Sequence, residues 1–246
     1  MASQGMGVKA RVHIMPVGYE FDRIVLPAQE LRADRVVLLD PVTEQEAPRY
    51  TGDVCEALDE ARIDYELVNC DIFDLFESLG TIAKLATAYE DDDVYVNLAS
   101  GSKVTAMGGM IACMATDAIP SYVRAEKYAE QTESGVSEGV AEISRVPTYP
   151  IERPSRQHVA VLDYIAEHEK TTKKSVIELG EEVNLPFIAD YESTEPKGKY
   201  RLLDSRILQP LVENEYIEVE AVGRTKRISI TENGRNTLQA FQYLLD

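Results

Sequence analysis

The sequence predicts an α/β fold: a Rossmann-like, doubly wound and mostly parallel sheet, followed by a C-terminal winged helix-turn-helix. Three observations predict it. Short β-rich runs alternate with helical stretches through the first 150 residues, three prolines crowd into Pro147–Pro154, and beyond them come three helices, a hairpin and a closing helix.

The runs Arg11–Met15, Arg35–Leu39, Tyr65–Asn69, Val94–Leu98 and Ser121–Val123 read as strands, and Ala141–Arg145 can supply a sixth. Between them lie helical stretches at Phe21–Leu31, Arg49–Arg62, Ile72–Tyr89 and Lys103–Thr116. Pro48 can open the second helix, because a proline in the first turn gives up no helical hydrogen bond. Strands alternating with helices of about 10–15 residues imply βαβ units and a parallel sheet. Pro147-Thr-Tyr-Pro-Ile-Glu-Arg-Pro154 breaks the pattern, so residues 1–146 are expected to form one domain, 147–155 a linker and 156–246 a second domain. In the second, Val159, Leu162 and Ile165 share one face of a helix over His158–Glu167. Ser175–Val183 and Tyr200–Glu213 follow as helices, and Tyr216–Val219 and Arg227–Ile230 as a hairpin. Thr231 then caps a last helix running to about Leu245.

At 246 residues, 44% of them hydrophobic, the chain can build two cores. No run approaches the roughly 18 apolar residues of a membrane span. The N-terminal Met-Ala-Ser-Gln-Gly-Met-Gly lacks the regions of a signal peptide, so a cytoplasmic protein is expected. Cys55, Cys70 and Cys113 are odd in number and widely spaced, which suits buried small hydrophobes rather than disulfides or zinc; no metal site is expected. The net charge of −18 is uneven: residues 1–152 carry 12 basic and 27 acidic side chains, residues 153–246 carry 13 and 16. Glu90-Asp91-Asp92-Asp93 suits a proteome adapted to high salt, where screening shortens the reach of distant carboxylates.

In a doubly wound sheet, ligands sit beyond the C-terminal ends of the strands where strand order reverses, which falls after the first and fourth strands. The loops there are Pro16-Val-Gly-Tyr-Glu20 and Asn97-Leu-Ala-Ser-Gly-Ser-Lys103. Ser100, Gly101 and Ser102 are small enough for backbone N–H groups to approach a ligand. Lys103 adds an ammonium near a helix N-terminus, where an anion is favoured. The plain alternative is a strand-to-helix turn with a capping serine. Neither the P-loop nor the dinucleotide GxGxxG spacing is present, so ATP hydrolysis and NAD binding are not expected.

The strand-loop-helix Val94-Tyr-Val-Asn-Leu-Ala-Ser-Gly-Ser-Lys-Val-Thr105 resembles the second signature of CARF domains, the CRISPR-associated Rossmann fold. Met15-Pro-Val-Gly-Tyr-Glu-Phe-Asp22 resembles the first. With a winged helix attached, nearly the whole chain resembles the archaeal CRISPR-associated CARF transcription regulators. That resemblance implies a homodimer binding a cyclic oligoadenylate, such as cyclic tetra-adenylate, across its two-fold axis, with no other cofactor. It implies ligand contacts at Asn97, Ala99, Ser100, Gly101, Ser102 and Lys103, and at Gly18, Tyr19 and Glu20. Ala99-Ser100 stands where many relatives have Thr-Gly, so ring size is open. Some CARF proteins cleave their ligand. His13 lies within the first strand and neither loop holds a histidine, so no catalytic residue is assigned.

In a winged helix the third helix enters the major groove of double-stranded DNA and the wing touches phosphate. Lys197, Lys199, Arg201 and Arg206 surround that helix's start against one acid, Asp204, with Tyr200 among them. The wing carries Arg224, Lys226 and Arg227 around Gly223. Ile228-Ser-Ile-Thr-Glu-Asn-Gly-Arg235 resembles the stretch closing the wing in MarR-like regulators. Lys170, Lys173 and Lys174 precede the second helix and suit phosphate positioning or plain exposure. The expected function is therefore a ligand-responsive, DNA-binding transcription regulator and not an enzyme. The rivals are a ring nuclease whose winged helix serves dimerisation or protein contact, and a constitutive regulator with an α/β scaffold.

Overall fold

The computed structural model describes residues 9–41, 50–133, 136–149, 151–168, 171–189, 191, 196–222 and 225–246. Pro48, Lys170, Gly223 and Arg224 lie outside them. The chain divides into two compact units, Met1–Glu152 and Arg153–Asp246.

In the first unit, β1 (Arg11–Pro16), β2 (Arg35–Pro41), β3 (Asp64–Cys70), β4 (Asp93–Asn97), β5 (Ile119–Arg124) and β6 (Glu142–Arg145) form one sheet. Its order is β3-β2-β1-β4-β5-β6. The first five strands are parallel, with His13 beside Val36 and Tyr95, and β6 runs antiparallel to β5. This is a Rossmann-like mixed sheet. Val36 to Leu39 are all fully buried, because a central parallel strand is covered on both faces, and the sequence there is accordingly an unbroken apolar run. On one face, α1 (Asp22–Glu30) and α2 (Tyr50–Ala61) pack Ile24, Ala28 and Leu58 against Met15, Val36 and Leu38. α3 (Leu75–Ala88) and α4 (Lys103–Ala115) also pack together: a side chain at Gly109 would meet Ile82 of α3 and Val96 of β4 within 3.3 Å. The helix expected from Ile72 begins at Leu75, because Asp74 accepts the backbone N–H groups of Phe76 and Glu77 and so caps it.

The second unit is built from α5 (Arg156–Glu167), β7 (Thr171–Thr172), α6 (Lys173–Glu182), α7 (Pro186–Ala189) and α8 (Pro196–Leu203). A π turn at Asp204–Leu208 leads into α9 (Gln209–Glu213), β8 (Ile217–Val222), β9 (Thr225–Ile230) and α10 (Glu232–Phe241). Its sheet has the order β7-β9-β8, and Leu162, Val176, Phe187, Leu203, Leu211 and Ile228 meet in one core. Thr231 caps α10, accepting from the Gly234 N–H at 2.9 Å. The third helix, expected over Tyr200–Glu213, starts earlier and takes an extra residue in its π turn. β7 and α7 are too short to impose a hydrophobic period and were not legible.

Helices α1, α2, α6 and α9 each end on a non-glycine residue in the left-handed region: Arg32, Arg62, Asn184 and Glu215. After α9, Glu215 N–H donates to Val212 O and Tyr216 N–H to Leu211 O, so the reversed backbone serves orphan carbonyls of the last turn.

Candidate functional site

The chain leaves β1 towards α1 and the adjacent β4 towards α4, so the loops after these strands meet at the point where strand order reverses. They touch through their glycines. A side chain at Gly18 would lie 2.7 Å from the Gly101 nitrogen, and one at Gly101 would lie 2.6 Å from Pro16 Cβ. Gly101 also has φ +76°, a conformation that costs any other L-residue energy. Backbone approach this close requires glycine on both sides.

A second tie runs beneath the loops. Pro27 lies inside α1 and has no N–H for the carbonyl four residues back, that of Arg23. Asn97, 2% exposed at the end of β4, donates its carboxamide N–H to Arg23 O at 2.7 Å and accepts from Ala99 N–H at 2.8 Å. Asn97 and Ala99 are thus buried, and Asn97 shapes the loop from below. The resemblance implies both as ligand contacts; here the Asn97 side chain is spent on two backbone groups, which holds the loop in shape. Arg23, buried, fixes the opposite side by donating to Val123 O at 3.0 Å.

The two serines differ. Ser102 is the capping serine: its hydroxyl accepts from Thr105 N–H at 2.9 Å and donates to Ile72 O after β3, where Thr105 also donates. Ser100 is 2% exposed, and its hydroxyl has no hydrogen-bond partner among the described residues. A buried polar atom left so is costly and marks a place where a ligand or water supplies the missing partner. Lys103 is exposed at the start of α4, whose first turn holds no acidic residue. A cation opposes the helix dipole there, while a bound anion would be held by both. On the first loop Tyr19 is 56% exposed, and the half-buried Glu20 has one carboxylate oxygen, Oε2, buried without a partner. Burial raises its pKa, opposed by the nearby backbone N–H groups of Glu20 and Tyr19 and by the Arg23 charge.

In the second unit, Lys197, Tyr200, Arg201 and Arg206 are exposed on the third helix. Lys199 is ion-paired with Glu181, and Asp204 with Lys173 of α6. His158 donates from Nε2 to the Arg206 carbonyl in the π turn at 2.9 Å. In the wing, Lys226 and Arg227 are exposed, but Glu220 of β8 stands opposite Arg227 and Ala221 opposite Lys226. The cations of the wing therefore share the hairpin with acids that the linear run 221–231 does not display. Arg224 lies outside the described residues.

Among the described residues no group of three or more His, Cys, Asp or Glu side chains could hold a metal ion. No helix among them is long and apolar enough to cross a membrane.

Residues 157–242 match the family model of the DUF6293 C-terminal winged helix domain. The second unit is a winged helix. Residues 11–128 match the family model described as HFX_2341_N-like, N-terminal. Uncharacterized protein MJ1513 of Methanocaldococcus jannaschii is 31% identical over 133 residues, which are 49% of this chain and 39% of that protein. Can2 from Sulfobacillus thermosulfidooxidans, solved in complex with cyclic tetra-adenylate, is similar with a TM-score of 0.39 and 11% identity. That alignment covers 95% of this chain and 64% of Can2. Enterococcus italicus Csm6, solved bound to cyclic hexa-2′-fluoro-hexa-dAMP, gives 0.43 and 12%, covering 84% of this chain and 56% of Csm6. The chain thus spans less than two thirds of the length of each of these three proteins.

The residues that sequence reasoning missed are Pro27, Arg23 and Ile72. Pro27 inside a predicted helix was a visible signal, since a proline there always leaves one carbonyl to be served from elsewhere.

Proposed function

We propose that this chain is a ligand-responsive regulator acting as a homodimer. A cyclic oligoadenylate binds at the joined loops after β1 and β4, and the winged helix binds double-stranded DNA. One observation carries the ligand reading: the unpartnered, buried Ser100 hydroxyl sits in the turn leading to the acid-free first turn of α4, beside Lys103. Hydroxyl, helix N-terminus and ammonium together suit a phosphate, and the CARF-like pattern of the two loops supports a cyclic oligoadenylate as its source. The exposed Lys197, Arg201 and Arg206 on the third helix support DNA as the partner of the second unit, since cations there meet phosphate and base edges.

A ligand changes DNA affinity only by binding the two states of the protein unequally. The test is a gel-shift titration of the full chain on duplex DNA, with and without saturating cyclic tetra-adenylate. The expected result is an apparent DNA affinity displaced by about fivefold or more, the range typical of coupled sites. Unchanged affinity at saturation would remove the coupling. Chromatography of the ligand after incubation separates binding from cleavage: recovery of the intact ring is expected of a sensor, and linear products would establish a ring nuclease.

A further inference from the structure

The first loop places a carboxylate where an anion-binding turn would be expected to tolerate none. Glu20 Oε2 lies 2.6 Å from the position a Gly18 side chain would take, and the Gly101 nitrogen lies 2.7 Å from that same position. The carboxylate tip is therefore a close neighbour of the turn that leads to Lys103. It is also buried, and among the described residues Oε2 has no hydrogen-bond partner, as the Ser100 hydroxyl has none. Two such polar atoms therefore stand on two touching loops.

Ser100 and the α4 N-terminus offer donors, which phosphate oxygens satisfy. A carboxylate oxygen offers only an acceptor and repels phosphate, so its partner must be a donor carried next to the phosphate. In a nucleotide the donor nearest the phosphodiester is the ribose 2′-hydroxyl, which acidic residues of other Rossmann-like sites also read. Resting on the ligand reading above, we infer that Glu20 is the specificity-determining residue of these joined loops: it accepts a hydrogen bond from a ribose 2′-hydroxyl and selects ribonucleotide over deoxyribonucleotide ligands. The same carboxylate disfavours a bare inorganic anion, which brings charge without a donor. Discrimination follows from what deoxyribose leaves behind, a buried carboxylate oxygen, Oε2, without a donor.

The experiment is calorimetric titration of the full chain with cyclic tetra-adenylate and with its all-2′-deoxy counterpart, using the wild type, Glu20→Ala and Glu20→Gln. The wild type is expected to bind the ribose ring about tenfold to hundredfold more tightly, the range of a hydrogen bond to a charged group. Glu20→Ala should bring the two affinities together by weakening the ribose ring alone. Glu20→Gln, which keeps a carbonyl acceptor, should retain part of the preference. Equal wild-type affinities would overturn the inference whatever the variants do, and so would a ratio unchanged in a folded Glu20→Ala protein. Binding of neither ring would instead overturn the ligand reading beneath it.

Discussion

Replacing Asn97 by alanine should cost far more when Pro27 is present than when it is gone. Pro27 leaves the Arg23 carbonyl without its helical donor, and Asn97 supplies one across 74 residues of sequence at 2.7 Å. Removing the carboxamide strands a buried carbonyl, a loss of about 1–3 kcal/mol. The bond to Ala99 N–H goes as well, for about 1 kcal/mol more. In a Pro27→Ala background the new N–H at position 27 serves Arg23 O, so only the second loss remains. The coupling in the double-mutant cycle should therefore be about 1–3 kcal/mol, while changes in helix propensity and cavity size cancel between backgrounds. Urea unfolding of the four proteins, followed by far-ultraviolet circular dichroism, measures it. If Asn97→Ala costs the same in both backgrounds to within about 0.5 kcal/mol, Asn97 is not the substitute donor.

His13 is buried against Tyr95, and burial lowers its pKa from 6.5 to about 4. The unfolded chain therefore takes up a proton that the folded chain refuses, so stability falls as pH drops from about 6.5 to 4, by roughly 3 kcal/mol. Urea titrations at pH 7, 5 and 4 should show that loss shrinking in His13→Phe; an equal loss in both proteins would assign it elsewhere. Ser102→Ala should lower stability by about 1 kcal/mol through the lost cap, whereas Ser100→Ala, removing a hydroxyl without a partner, should leave thermal stability level or raise it. Destabilisation by Ser100→Ala would show that its hydroxyl is bonded after all. Glu215→Gly should raise the unfolding midpoint, gaining about 1 kcal/mol by relieving the left-handed backbone at φ +59°; no gain would mean that the glutamate side chain compensates.

The strands and most helices were legible because each repeats its signal over several residues. The apolar run Val36–Leu39 suits a strand covered on both faces, and the spacing of Val159, Leu162 and Ile165 suits one helix face, as each is found. Legibility stopped where a role depends on a distant partner. Ser100 and Ser102 flank the same glycine and are alike in sequence; Ser102, which caps α4 locally, is also tied to Ile72, some thirty residues earlier, and Ser100 is not. Lys199 counted as a free cation in the linear reading and is ion-paired with Glu181. Likewise, Glu220 belongs to the wing only through hairpin register. The place of the two loops followed from strand order alone, but their contact through Gly18 and Gly101 did not, since nothing local demands it.

That contact has a mechanical corollary. Two segments pressed together main chain to main chain, and pinned below by Asn97, cannot swing shut over a guest like the jaws of a clamp. One continues into a helix on the first face of the sheet and the other into α4. A displacement imposed at the seam is therefore delivered to α1 and α4 at once, as a shift of two rods rather than the folding of a flap.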